Sequence, residues 1–325
     1  MLNRPRRNRK SPAIRAMIEE TVLRPANLIY PLFIQESSQE REAIQSLPDL
    51  FRLNFDGLCK EIESAMEVGL RTFVLFPVIP ENKKDKVATY SYAEDNFYLN
   101  FIRRIKENFP GIVLMSDVAM DPYSTDGHDG FVENGEILND KTLPILGKMA
   151  VAQAQAGIDI IGPSDMMDGR VQFIREALDT INMDHVSIMS YTAKYASAYY
   201  GPFRDALDSA PKGGDKKTYQ MNPANKMEAL REAELDEIEG ADFLMVKPAL
   251  CYLDVIALLK ENSSLPIAAY NVSGEYAMLK AACQNGWLDY DKAMPEMLLS
   301  MKRAGADSIL TYFAKDFATL YKKLL

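Results

Sequence analysis

Histidine and cysteine are nearly absent from this chain of 325 residues, which has two histidines (His128, His185) and three cysteines (Cys59, Cys251, Cys283). The cysteines are far apart, odd in number and form no CxxC pair, which argues against a disulfide framework and a thiolate zinc site. His128 and His185 are too far apart to form HExxH, and two histidines leave few options for a serine–histidine couple. No apolar run nears the roughly 18 residues that span a bilayer, so no membrane partner is expected. The opening MLNRPRRNRKSPAIRAM has basic residues but no apolar core, so the chain reads as cytoplasmic rather than secreted. Hydrophobic residues at 47% and charged residues at 26% exclude wholesale disorder. Chemistry must run mainly on Lys, Asp, Tyr, Ser and Arg.

Charge is unevenly spread. Residues 1–24 hold seven bases (Arg4, Arg6, Arg7, Arg9, Lys10, Arg15, Arg24) and two acids, Glu19 and Glu20. Taking these from totals of 37 and 46 leaves 30 bases and 44 acids, a body at −14. Such a body repels phosphate, so no nucleic-acid partner is expected. Ile14, Met17, Ile18 and Val22 follow one helix face, which favours a packed arm over a free tail.

Eight short apolar runs punctuate the chain: 28–34, 71–78, 112–119, 158–164, 186–191, 242–248, 266–273 and 307–313. They are continuously apolar, as parallel strands buried on both faces are. Between them lie amphipathic stretches at 57–69, 94–109, 142–156, 168–182, 223–239, 251–262, 274–285 and 291–304. Gly69, Gly157, Gly240 and Gly305 stand where left-handed helix ends feed strands. The pattern predicts an α/β fold, a (β/α)8 TIM barrel over 28–325 with an extended basic arm at 1–27. An open doubly wound sheet is the alternative, but no glycine-rich phosphate loop follows the first run. Active sites of such barrels form at the carboxyl ends of the strands. Three long connections stand out, 34–54, 79–93 and 200–222, the last suited to a mobile lid.

Two runs end in lysine, Lys194 in VSIMSYTAK and Lys247 in DFLMVKP. Neighbouring buried ammonium groups disfavour each other's charge, and desolvation pushes the same way. A neutral lysine forms Schiff bases with carbonyl compounds. The competing reading is a pair of lysines salt-bridged to strand-end aspartates. The third run enters a loop with Asp117, Asp121, Asp126, His128 and Asp129, which reads either as a site for a hard cation or as Asx-turns. Asp117 lies within the strand, as a proton-transfer group or lysine counter-ion. Ser164 sits at the fourth mouth, and Asp165 and Asp168 are expected to cap the next helix. Ser273 and Tyr312 suit a substrate carboxylate, though Ser273 also reads as a plain N-cap.

These residues resemble the δ-aminolevulinic acid dehydratase (porphobilinogen synthase) family. The resemblance rests on MVKPA (245–249), SYTAKYASAYYGPFR (190–204), PSDMMDGRV (163–171), YQMNP (219–223), VSGEYAM (272–278) and KRAGAD (302–307). It runs from about residue 22 to the C-terminus. It implies a lyase of tetrapyrrole biosynthesis that joins two 5-aminolevulinate molecules into porphobilinogen. It implies Schiff bases from Lys247 to the first substrate and from Lys194 to the second, with Asp117, Ser164 and Tyr200 lining the reacting centre. Ser273 and Tyr312 would hold the first carboxylate, and Arg204, Lys216 and Gln220 the second. Where zinc-dependent members carry three cysteines this chain has Ala119, Asp121 and Asp129, so no catalytic zinc is expected and at most a weak cation at Asp121 and Asp129. The likeness to the magnesium-responsive branch implies allosteric Mg²⁺ at Glu232. It also implies a homo-octamer in which each arm wraps a neighbour's barrel. A class I aldolase on the same fold is the nearest rival enzyme, and a barrel that only binds ligands is the non-enzymatic one.

Overall fold

The computed structural model describes residues 1–207 and 211–324. Residues 208–210 of the expected lid, and Leu325 at the end of the expected barrel, lie outside the described residues.

Eight parallel strands form the barrel: Leu28–Ile34, Thr72–Pro77, Val113–Met115, Ile160–Ile161, Ser187–Lys194, Phe243–Lys247, Ile267–Asn271 and Ser308–Thr311. Each pairs with its sequence neighbour, and Leu28 and Ile29 beside Ile309 and Leu310 close the ring. Each strand coincides with one apolar run. The third and fourth are shorter than expected because their pairing becomes irregular, continuing only as a bridge between Val118 and Pro163. Pro163 has no N–H to give a ladder.

Helices Phe55–Glu67, Phe97–Asn108, Asn139–Ala156, Arg170–Thr180, Glu228–Glu239, Leu253–Asn262, Ser273–Gln284 and Tyr290–Ala304 wrap the barrel. Ile62, Ile102, Leu146, Ile174, Ile256 and Leu298 are completely buried beneath them. A further helix, Ala314–Leu324, was not among the expected segments. All four expected glycine terminators take positive φ, from 95° at Gly69 to 124° at Gly305. The expected caps fail at two helices. Arg170–Thr180 has no side-chain cap, since Asp165 instead accepts from Met167 N at 2.8 Å in an Asx-turn. Ser273 is inside its helix, with Val272 at the N-cap.

The long connections are structured. Within 34–54, Arg41–Ala43 and Phe51–Leu53 form an antiparallel pair, and the latter joins the end of the first strand. The segment 79–93 holds two 3-10 turns, Glu81–Lys83 and Thr89–Tyr92. Part of 200–222 is a helix, Gly201–Leu207, whose Phe203 ring lies 5.1 Å from Phe76 and 5.8 Å from Phe33. Arg52 donates to its Asp205 and Ala206 carbonyls, both at 2.9 Å. Residues 1–27 run along the outside with one short helix, Pro12–Met17. Met17 is 76% exposed, and Ile18 and Val22 are exposed too, so this chain alone leaves the apolar face of the arm uncovered. No helix among the described residues is long and apolar enough to cross a membrane.

Candidate active site

Lys194 ends the fifth strand, Lys247 ends the sixth, and the two are register partners. A bulge aligns them. Leu244 stands beside Ser190 but Val246 beside Ala193, so the fifth strand carries one extra residue. Without it Lys247 would stand beside Ala193, and the alternation of side chains would turn the two amines to opposite faces.

Lys247 is buried in an aromatic box. Its Nζ lies 4.4 Å from the ring centre of Tyr270, 5.0 Å from Tyr191, 5.2 Å from Phe203 and 5.3 Å from Tyr200. Ring faces attract an ammonium but replace only part of its hydration. Burial first, and then the charge of Lys194, push the Lys247 amine down to about 7, against the opposing pull of Asp117, Asp129 and Asp121.

Lys194 has different company. Its Nζ donates to Asp129 Oδ2 at 2.9 Å and to the carbonyl oxygen of Ser164. The other oxygen of Asp129 takes Lys216 Nζ at 2.5 Å, and Lys216 also reaches Asp121 at 3.3 Å. Burial raises the Asp129 carboxyl, but Lys194 and Lys216 outweigh it and hold it at about 2. Lys194 and Lys216 therefore occupy the carboxylates of Asp121 and Asp129, where at most a weak cation was expected. Among the described residues no group of three or more His, Cys, Asp or Glu could hold a metal ion.

Asp117 is not the hydrogen-bonded partner of either lysine. Burial pushes its carboxyl up to about 6, against the pull of Lys247, and Oδ1 is buried without a hydrogen-bond partner. That suits proton transfer better than charge pairing. Tyr200 donates to the carbonyls of Tyr195 at 2.7 Å and Lys247 at 3.1 Å, so it also fixes the backbone of the box. Ser273 Oγ accepts from Phe203 N at 3.0 Å and donates to the carbonyl of Tyr199 at 3.3 Å, tying Gly201–Leu207 to the start of the helix after the seventh strand. Tyr312 and Tyr270 share a hydroxyl contact of 3.0 Å. Gln220 is buried with Oε1 lacking a partner among the described residues. Burial pushes the Tyr200 and Tyr219 hydroxyls well up, and the nearby charge of Arg204 opposes this only in part. Glu232 is elsewhere, half-buried on Glu228–Glu239, in a cleft of about 780 Å³ that Asp168, Arg170, Asn225, Glu228 and Arg231 also line.

Sequence reading missed the box itself. Tyr191, Tyr270 and Phe203 come from two strands and a lid helix, and only the alternation placing Tyr191 and Tyr270 inward hints at it. It named His128 only as part of the aspartate loop and missed its contacts with Tyr219 Oη at 3.2 Å and the Gly213 carbonyl at 2.8 Å.

The chain is similar to known proteins over nearly its whole length. The family model described as delta-aminolevulinic acid dehydratase matches residues 2–320. A chloroplastic delta-aminolevulinic acid dehydratase from Physcomitrium patens is 58% identical over 313 residues, 96% of this chain and 72% of that protein. The Chlamydia pneumoniae enzyme of the same name is 53% identical over 311 residues, 96% of this chain and 94% of its own. The crystal structure of porphobilinogen synthase from Toxoplasma gondii ME49, in complex with the product porphobilinogen, superposes with a TM-score of 0.96 at 50% identity. It covers 98% of this chain and 91% of that one. The cytoplasmic expectation is corrected, because the plant relatives at 55–58% identity are chloroplastic proteins.

Proposed function

The chain belongs to the delta-aminolevulinic acid dehydratase family, and on that premise we propose how its two buried lysines divide the reaction. It is a porphobilinogen synthase, a lyase of tetrapyrrole biosynthesis that condenses two 5-aminolevulinate molecules into porphobilinogen with loss of two waters. The observation that carries the proposal is the register pair itself, one amine in an aromatic box and the other in an ion pair.

Lys247 is the nucleophile of the first step. Its neutral amine adds to the ketone of one substrate, and loss of water leaves an imine on its Nζ. Asp117, held near 6, receives and returns the protons of that exchange. Lys194 begins as an ammonium held by Asp129 and forms the second Schiff base after passing a proton on. An enamine from one bound substrate then attacks the imine carbon of the other, forming the carbon–carbon bond. The amino group of one substrate closes the ring on the imine carbon of the other, and expulsion of both lysine amines with loss of ring protons frees the pyrrole and the enzyme. Ser164 and Tyr200 shape this centre. Ser273 and Tyr312 hold the first carboxylate. Arg204, Lys216 and Gln220 hold the second, which takes the place of the aspartates as a partner of Lys216. Two substrates fixed in a dry pocket gain the orientation advantage of an intramolecular reaction.

Magnesium belongs outside the barrel in this account, at Glu232. Burial raises that carboxyl, Arg170 opposes the rise, and Asp236, Asp168 and Glu228 add to it, so a further cation would relieve it. Mg²⁺ keeps most of its waters and needs only one or two carboxylates, which the cleft beside Asp168 and Glu228 supplies. There it would stabilise assembly rather than join the chemistry. Residues 1–27 are the arm that covers a neighbour, in a homo-octamer, through Ile14, Met17 and Ile18. No catalytic zinc is required.

Purified protein given 5-aminolevulinate should release porphobilinogen, read by mass, with zinc chelated and magnesium in excess. Product that only added zinc restores would overturn the metal assignment. No product under any metal would overturn the activity.

A further inference from the structure

VSGEYAM contains a carboxylate that the reaction does not use. Glu275 is completely buried, and both of its oxygens are engaged. Oε2 accepts from Val272 N at 3.0 Å and from Asn271 Nδ2 at 2.8 Å. The bond to Val272 N is what a glutamate at the third position of a helix does in a capping box, and it would call for nothing more. Oε1 is different. It accepts from Leu250 N at 2.8 Å, in the segment three residues beyond Lys247. The chain of bonds continues on the other side, where Asn271 Oδ1 accepts from Thr311 Oγ1 at 2.8 Å and Thr311 Oγ1 accepts from Phe313 N at 3.1 Å.

One buried carboxylate thus joins three strand ends. Leu250 follows Lys247, Val272 precedes Ser273, and Thr311 precedes Tyr312. We propose that Glu275 is a positioning residue for the Lys247 half of the active site, holding the Lys247, Ser273 and Tyr312 segments in one geometry. The Lys247 carbonyl itself accepts from Tyr195 N at 2.9 Å and Tyr200 Oη at 3.1 Å, so Glu275 supplies a second anchor three residues further on. Lys194 has its own supports, Asp129 and the Ser164 carbonyl, and none of them touches this network. Burying a carboxylate is costly, and an apolar side chain would fill the space more cheaply, so position is what the charge contributes. Glutamine offers one acceptor oxygen where glutamate offers two. In Glu275→Gln, either Leu250 N or the Asn271–Val272 pair then faces an N–H.

The inference rests on Lys247 being a Schiff-base lysine, and the test separates the two claims. The probe is 4-oxopentanoate, which has the ketone and carboxylate of the substrate but no amine. Borohydride reduces any imine to a stable secondary amine, and peptide mass spectrometry assigns it to Lys247 or Lys194. In Glu275→Gln the Lys247 adduct should form on the order of tenfold more slowly while the Lys194 adduct changes less than about twofold, the scale of a small misplacement of a reacting group. Thr311→Val, which cuts the far end of the network, should shift the ratio the same way by less, and it carries the test if the glutamine variant does not fold. A purely structural role would slow both lysines equally, and that result, or no change at either, would overturn the inference. Wild-type protein without a Lys247 adduct would remove the Schiff-base assignment itself.

Discussion

Lys247 and Lys194 face each other across one strand pair, and they differ in almost everything but residue type. Four aromatic rings surround Lys247 and its amine falls to about 7, whereas a carboxylate and a carbonyl hold Lys194. The strands alone do not decide this. Asp129 arrives from the loop after the third strand and joins Lys194 and Lys216 on its two oxygens, leaving Lys247 without an equivalent. A lysine at a strand end is therefore a nucleophile or an ion-pair member according to what the loops bring to it. The partnered lysine also helps the bare one, because its charge is the second cause of the low pKa of Lys247.

Removing each side of this contrast should cost different amounts. Lys247→Ala should lower turnover by at least about 10³-fold, as loss of a covalent nucleophile does, while thermal unfolding stays at or above the wild-type midpoint. The amine gains little from its surroundings, so deleting it strands no obligatory partner. Retained turnover in steady-state assays would show that Lys194 alone suffices. Asp129→Asn should come next, with turnover down roughly 10–100-fold and stability down by about 3–5 kcal/mol, since both lysines lose a buried counter-charge. Denaturant unfolding reads the second figure, and an unchanged midpoint would mean that the ion pairs carry no weight.

The pH dependence sharpens the same point. Imine formation needs neutral Lys247, so its single-turnover rate should climb as pH rises towards about 7 and level off above it. At one unit below, the rate should be down about tenfold. A rate still climbing at pH 9 would mean that the box does not depress the amine. Glu232→Ala should have the smallest effect, abolishing the response of activity and size to magnesium with only a few-fold change in turnover at saturating substrate. By mass action a bound ion at about 100 times its dissociation constant is worth roughly 2.7 kcal/mol to the assembled state. Light scattering across magnesium concentrations measures it, and an unaltered response would move the metal elsewhere.

The barrel was legible because its information is local. Each strand is a continuous apolar run, and each of four helix-to-strand junctions holds a glycine with positive φ. The two lysines were legible for a related reason, since a charge inside an apolar run has few structural excuses. What could not be read depends on register and on contacts between distant segments. The bulge between Leu244 and Val246 has no sequence mark, yet it turns the amines to one face. The pairing of Asp121 and Asp129 with Lys216 could not be read either, because that lysine is 95 and 87 residues away from them. Asp165 and Ser273 looked like caps because short polar residues before a helix usually are, but a local Asx-turn took Asp165 and the backbone of Phe203 took Ser273. The helix Ala314–Leu324 was missed because reading stopped at the last strand.

The central claim, that Lys247 is the poised nucleophile and Lys194 its charged neighbour, is tested most directly by timing. Protein is mixed with less than one equivalent of 5-aminolevulinate near pH 7.5, quenched with borohydride at increasing times, and digested for peptide mass spectrometry. The account predicts that the earliest adduct lies on the Lys247 peptide, with Lys194 labelled only later or at excess substrate. An early adduct confined to Lys194 would contradict it.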